Sequence, residues 1–176
     1  EMGVASGSTT KLILEDNSIM ENINKFVGID PHEPYNEKIY KNNIDLAKNN
    51  YKEIIKNNIV ENYNNYSINM ISKFINDKNY FDCIIIDGCH LAKNVMEDLV
   101  LSFNILNKNG YLIVDDYLWF PTIKISVRKI EDSYKNFNST PIHKRCKDVI
   151  DMFIKAYQPY IKLKYKFKNI LIIKKI

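Results

Sequence analysis

The chain has 176 residues and a mass of 20.7 kDa, the size of one domain able to bury roughly 70% of the surface its unfolded form exposes. Hydrophobic residues make up 45% and charged residues 26%, which excludes bulk disorder; five Gly and five Pro exclude Gly/Pro-rich low complexity. The formal charge is +4, but only Arg128 and Arg145 are Arg, and Lys is interleaved with acids throughout. That pattern argues against nucleic acid as a partner.

The longest apolar runs, Cys83–Ile86 and Ile170–Ile173, are strand-sized, whereas a membrane span needs about 20 residues. No membrane partner and no signal peptide are expected. Residue 1 is Glu, so a native start upstream is expected. Cys83, Cys89 and Cys146 form no C-x-x-C pair, which argues against a disulfide framework or a Cys-type zinc site. A reducing, cytoplasmic location is expected.

In chain order, the glycine-bearing stretch Glu1–Gly7 leads into Ser8, Thr9 and Thr10, good N-cap residues for a helix from about Ser8 to Asp16. Lys25–Asp30 reads as a buried strand ended by an acid and Pro31. Asn36–Asn50 has near-helical apolar spacing, and Ile59–Tyr63 reads as a strand within an Asn/Tyr-rich stretch. Ser67–Ile75 predicts a helix with Ser67 as its cap. Phe81–Asp87 predicts a strand buried on both faces, with Cys83 inside. Leu91–Leu106 predicts a helix stopped by Asn109-Gly110. Tyr111–Asp115 is a second buried strand, Pro121–His143 an insertion, and Arg145–Tyr157 a helix containing Cys146. Tyr160–Phe167 and Ile170–Ile176 predict a hairpin turning at Lys168-Asn169. Alternating strands and helices imply a doubly wound, mostly parallel α/β sheet in a single domain, with an antiparallel hairpin at its end.

Ligands of such sheets bind at the carboxyl ends of the strands. Those ends carry Glu1-x-Gly3-x-x-x-Gly7, Asp30, Asp87-Gly-Cys-His90 and Asp115-Asp116. Glycines let the backbone turn tightly, and the following helix N-terminus offers N–H groups to an anion. The spacing is neither that of a nicotinamide site nor that of a P-loop. Asp30 lies 23 residues after Gly7, near the offset at which an acid reaches ribose hydroxyls. Asp87, Asp115 and Asp116 offer hard oxygens to Mg²⁺ or a similar cation; the other reading of Asp115 and Asp116 is a turn or helix cap. His90 suits a general base, or else a capping or surface role. Tyr117, Trp119 and Phe120 could wall an acceptor site or simply belong to the core.

Glu1-Met-Gly-Val-Ala-Ser-Gly-Ser-Thr resembles motif I of the class I S-adenosylmethionine (SAM)-dependent methyltransferases. FDCIIIDGCH and LNKNGYLIVDDYLW resemble the fourth- and fifth-strand motifs, and the C-terminal part is similar to the methyltransferase-24 type subfamily. The resemblance implies a Rossmann-like, seven-stranded sheet of order 3-2-1-4-5-7-6 whose first strand is truncated before Glu1. It implies a SAM site formed by Glu1, Gly3, Ala5, Gly7, Ser8, Thr9, Asp30, Ser67 and Asp87. The chain is also similar to cation-dependent O-methyltransferases. That likeness implies Asp87, Asp115 and Asp116 as cation ligands, with Asp116 where many members have Asn. His90 stands in place of their Lys base.

The function expected is methyl transfer to a hydroxyl of a small molecule or sugar, with a divalent cation assisting. The competing readings are a non-catalytic scaffold of the same fold and a nicotinamide oxidoreductase, which the glycine spacing disfavours.

Overall fold

The structure, a computed structural model, describes residues 1–31, 45, 60–118 and 145–176. It divides into two compact units, Glu1–Lys73 and Phe74–Ile176. The predicted helix at Asn36–Asn50 lies outside the described residues, except for helical Asp45. So do Trp119, Phe120 and the predicted insertion at 121–143.

In the first unit, helix α1 (Ser8–Glu15) and the short helix α2 (Asn17–Met20) precede strand β1 (Phe26–Ile29) and strand β2 (Val60–Tyr63). The two strands pair in parallel, Phe26 opposite Val60 and Ile29 opposite Tyr63. All four residues of β1 are buried, as expected of a strand covered on both faces. Glu1 and Met2 do not simply follow a strand. Met2 makes a parallel bridge to Ile29; the Gly3 N–H donates to the Ile29 carbonyl at 2.9 Å, and the Ile29 N–H to the Glu1 carbonyl at 2.8 Å. Gly28 sits where a Cβ would lie 3.0 Å from a Val4 methyl.

Helix α3 (Ser67–Asn76) crosses the boundary between the units and buries Met70, Ile71 and Phe74. Ser67 is its first helical residue and not its cap. The Met70 N–H donates to the Tyr66 carbonyl, so Tyr66 holds the cap position.

The second unit contains strand β3 (Phe81–Ile86), helix α4 (Ala92–Ile105), strand β4 (Leu106–Val114), helix α5 (Cys146–Ala156), strand β5 (Ile161–Phe167) and strand β6 (Ile170–Lys175). Its sheet runs β3-β4-β6-β5, with β3 and β4 parallel and the other neighbours antiparallel. The chain is thus α/β with a mixed sheet. Helices α4 and α5 pack through Phe103 and Phe153, ring centroids 6.0 Å apart, with Tyr157 stacked on Phe153 at 4.4 Å. Leu99, Leu112, Val114, Ile150, Leu171 and Ile173 complete this core. Each such side chain, fully buried, contributes about 1.5–3 kcal/mol.

Two expectations are corrected here. Strand β4 begins at Leu106, directly after α4, and not at Tyr111 after an Asn-Gly stop. The register steps from Phe81–Leu106 to Cys83–Tyr111, so the intervening residues form an irregularity in the ladder, with Asn109 left-handed at φ 68°. Gly110 is buried, and a Cβ there would lie 2.9 Å from the Asn107 and Asp82 carbonyl oxygens. Glycine therefore serves close packing rather than helix termination. Cys83 is exposed rather than buried, as is Asp82.

Candidate functional site

In the first unit the loop from Gly3 to Gly7 has three left-handed residues: Gly3 at φ 86°, Ala5 at 45° and Gly7 at 76°. For Ala5 that conformation is strained, which marks the loop as held in shape by its surroundings. The holding contacts are visible. The Gly7 N–H donates to the Val4 carbonyl at 2.7 Å, and the Ala5 N–H donates to Asp30 Oδ2 at 2.7 Å. Asp30, just past β1, thus braces the loop.

Helix α1 starts at Ser8 with Gly7 as its N-cap and no side-chain cap; the expected Ser/Thr cap is corrected. Ser8 and Thr9 lie inside the first turn and are exposed, while the Ser6 and Ser8 hydroxyls meet at 2.8 Å. The first turn of α1 consequently presents backbone N–H groups without a side-chain acceptor of its own. Thr10 is fully buried and donates its hydroxyl proton to the Glu1 carboxylate. Burial pushes that carboxyl up; the Thr10 hydrogen bond pulls it back. The sequence offered Thr10 as an N-cap residue and not as a partner of Glu1, since a partner nine residues away has no periodic signature.

In the second unit the acids of β3 and β4 lie just past the strand ends. The Asp115 N–H donates to the Ile86 carbonyl at 3.0 Å, continuing the parallel ladder by one residue. Asp115 Oδ1 then accepts the Asp116 N–H at 2.7 Å, and Asp116 is left-handed at φ 53°. Asp116 Oδ2 lies 3.3 Å from His90 Nε2, with both side chains partly buried. Burial pushes the Asp116 carboxyl up; the His90 charge pulls it down and Asp115 pushes it up again. Cys146, the first residue of α5, is buried and donates to the His90 carbonyl at 3.3 Å. Asp87, Gly88 and Cys89 form the turn between β3 and α4, with Asp87 half-buried and Cys89 exposed.

The residues expected to hold a divalent cation fit it poorly. Among the described residues no three His, Cys, Asp or Glu side chains form a group able to hold a metal ion. Asp115 is engaged with its neighbour's amide and Asp116 with His90. Among the described residues, the Asp87–Asp115–Asp116 ligand trio is not shown as a gathered group.

Tyr117 is a core residue and not an acceptor wall. It is 2% exposed. Its hydroxyl donates to Asp151 Oδ1 at 2.8 Å and accepts from Lys166 Nζ at 2.9 Å. The other Asp151 oxygen pairs with Lys147. The Tyr117 N–H donates to the Asn169 carbonyl at 2.8 Å. This network ties the segment after β4 to α5 and to the terminal hairpin. The i,i+4 spacing of Lys147 and Asp151 was readable in the sequence; their common partner was not.

A profile of the methyltransferase-domain family matches residues 1–117, about two thirds of the chain. The chain belongs to this family. Three solved structures show the same fold. An O-methyltransferase of Bacillus cereus in complex with SAH aligns with a TM-score of 0.65 at 16% identity, covering 99% of this chain and 71% of that one. The SAH-bound Podospora anserina methyltransferase gives 0.65 at 15% identity, covering 99% and 70%. A Streptomyces achromogenes O-methyltransferase of tomaymycin synthesis, in complex with SAM, gives 0.64 at 10% identity, covering 99% and 70%. The fold is the Rossmann-like α/β fold of these enzymes. An uncharacterized protein of Acanthamoeba polyphaga mimivirus is 38% identical over 55 residues, which span 30% of this chain and 25% of that protein. Among the described residues, no helix is long and apolar enough to cross a membrane.

Proposed function

We propose that the chain is a SAM-dependent methyltransferase acting on a hydroxyl of a small molecule or sugar. The observation that carries this reading is the loop at Gly3–Gly7, held in left-handed geometry by Asp30 and ending on a helix without a side-chain cap. Such a loop brings backbone close to a ligand and aims N–H groups at a carboxylate. Glu1, Gly3, Ala5, Gly7, Ser8 and Thr9 would hold the methionine part of SAM. Asp30 would hold the ribose, since a carboxylate keeps acceptor sites beyond the one given to Ala5; Ser67 is assigned to the adenine. SAM would supply an electrophilic methyl group. The protein's part is to orient an acceptor oxygen and to take its proton, and His90 is the residue assigned to the proton. No step is routed through a cation, because among the described residues no three His, Cys, Asp or Glu side chains gather around one.

We also propose that the chain is a single methyltransferase domain, which the family match over residues 1–117, running through both units, supports. The test of function is a mass-spectrometric screen of hydroxyl-bearing acceptors incubated with SAM and protein. Methylated product appearing together with S-adenosylhomocysteine supports the reading. A panel of phenols, sugars and hydroxy acids that yields neither, while NAD⁺ supports oxidation of a member, overturns it.

A further inference from the structure

The acid that resemblance assigns to a cation is placed to serve a different partner. Asp116 Oδ2 lies 3.3 Å from His90 Nε2. Both residues are fixed through their backbones. The Asp116 N–H is taken by Asp115 Oδ1, its φ is 53°, and the next residue, Tyr117, is anchored through its N–H and its hydroxyl. The His90 carbonyl accepts the thiol of buried Cys146. Pinning of this kind on both sides is what a carboxylate–imidazole pair needs if the ring is to keep one tautomer and one orientation. A third cation ligand would need the Asp116 carboxylate directed at a shared centre with Asp87 and Asp115, and no such three-residue group exists among the described residues.

We propose that Asp116 is the positioning residue of His90: it accepts the Nε2 proton, which makes Nδ1 the basic nitrogen of the ring, and it is not a ligand of a divalent cation. The inference rests on the methyltransferase reading for its chemical use. In that use the acceptor hydroxyl gives its proton to His90 Nδ1, and its oxygen forms the bond to the methyl carbon. The carbon–sulfur bond breaks with its electron pair left on sulfur. The ring leaves the step as an imidazolium, stabilised by the Asp116 carboxylate, and later releases the proton to water.

The test is long-range ¹H–¹⁵N NMR of the uniformly labelled chain, which has three His residues; His90→Gln assigns the His90 signals. The expected result is an Nε2–H neutral ring whose signals stay in place when Mg²⁺ is added. Asp116→Gly keeps the left-handed backbone without strain and removes the carboxylate. It should turn the His90 pattern into a mixture of tautomers, and Asp116→Asn, whose amide oxygen still accepts, should restore the Nε2–H form. Two outcomes overturn the proposal. One is an unchanged tautomer in Asp116→Gly with the rest of the spectrum preserved. The other is a saturable Mg²⁺-induced movement of the His90 signals that Asp116→Gly abolishes. If Asp116→Gly fails to fold, the Mg²⁺ titration and the tautomer of the unaltered chain decide alone: an Nδ1–H ring or a saturable shift refutes it. SAM titrated into the same samples separates the two claims. Absent SAM binding removes the methyltransferase reading, while the tautomer result still decides the pairing.

Discussion

Replacing Tyr117 by Phe removes one oxygen from the middle of the second unit. That oxygen donates to Asp151 at 2.8 Å and accepts from Lys166 at 2.9 Å, on a residue only 2% exposed. A hydrogen bond to a charged partner is worth about 1.5–3 kcal/mol. Here the partners recover part of that from water, because the Asp151 side chain is 44% exposed. The net cost should be about 2 kcal/mol, with ring packing kept. For a chain of this size each kcal/mol moves Tm by about 2–4 °C, so Tyr117→Phe should melt about 4–8 °C lower. Differential scanning calorimetry measures this directly. Lys166→Met, which leaves the Tyr117–Asp151 bond in place, should lose about half as much. A Tyr117→Phe shift below about 1 °C would refute the claim that this network holds the segment after β4.

Three further outcomes follow from individual contacts. Gly110→Ala places a methyl 2.9 Å from two carbonyl oxygens, neither on a flexible side chain, so urea unfolding should show a loss of about 1–3 kcal/mol. Burial, with Asp116 and Cys89 adding to it, pushes the Cys146 thiol up to about 11, which leaves only about 0.1% thiolate at pH 8. Iodoacetamide at that pH should label exposed Cys89 first, Cys83 more slowly because burial pushes its thiol up too, and spare Cys146, as read by peptide mass spectrometry. The hydrogen bond to Asp151 raises Lys147 above its usual 10.5. A raised lysine stabilises fully below 10.5 and loses that contribution as pH climbs through its native value. Lys147→Met should therefore lower Tm at pH 8, and the gap to the unaltered chain should close above pH 10.5.

The helices and most strands were legible because their apolar residues recur at one period or form unbroken runs, as in Phe81–Ile86 and Cys146–Ala156. The start of β4 was not. Asn109-Gly110 carries the local chemistry of a stop, but pairing with β3 draws Leu106 into the sheet and absorbs the turn as an irregularity. The capping of α1 was misread for a similar reason. Three hydroxyl residues stand in a row, and only the left-handed Gly7 decides that the helix begins after it. At the candidate site, topology placed the acids at strand ends correctly. Which acid meets which partner depends on the φ of 53° at Asp116 and on a histidine 26 residues earlier. Neither the dihedral nor the pairing leaves a mark in residue spacing.

The most direct measurement is a calorimetric titration of SAM into the unaltered chain and into Asp30→Ala, with NAD⁺ as the comparison. Asp30 both braces the loop at Ala5 and is the acid assigned to the ribose. The account predicts saturable SAM binding with micromolar affinity, no NAD⁺ heat, and at least a roughly tenfold weaker SAM affinity in Asp30→Ala, since two polar contacts worth about 1 kcal/mol each are lost. A folded chain that binds NAD⁺ and gives no heat with SAM, or one whose SAM affinity is untouched by Asp30→Ala, would contradict it.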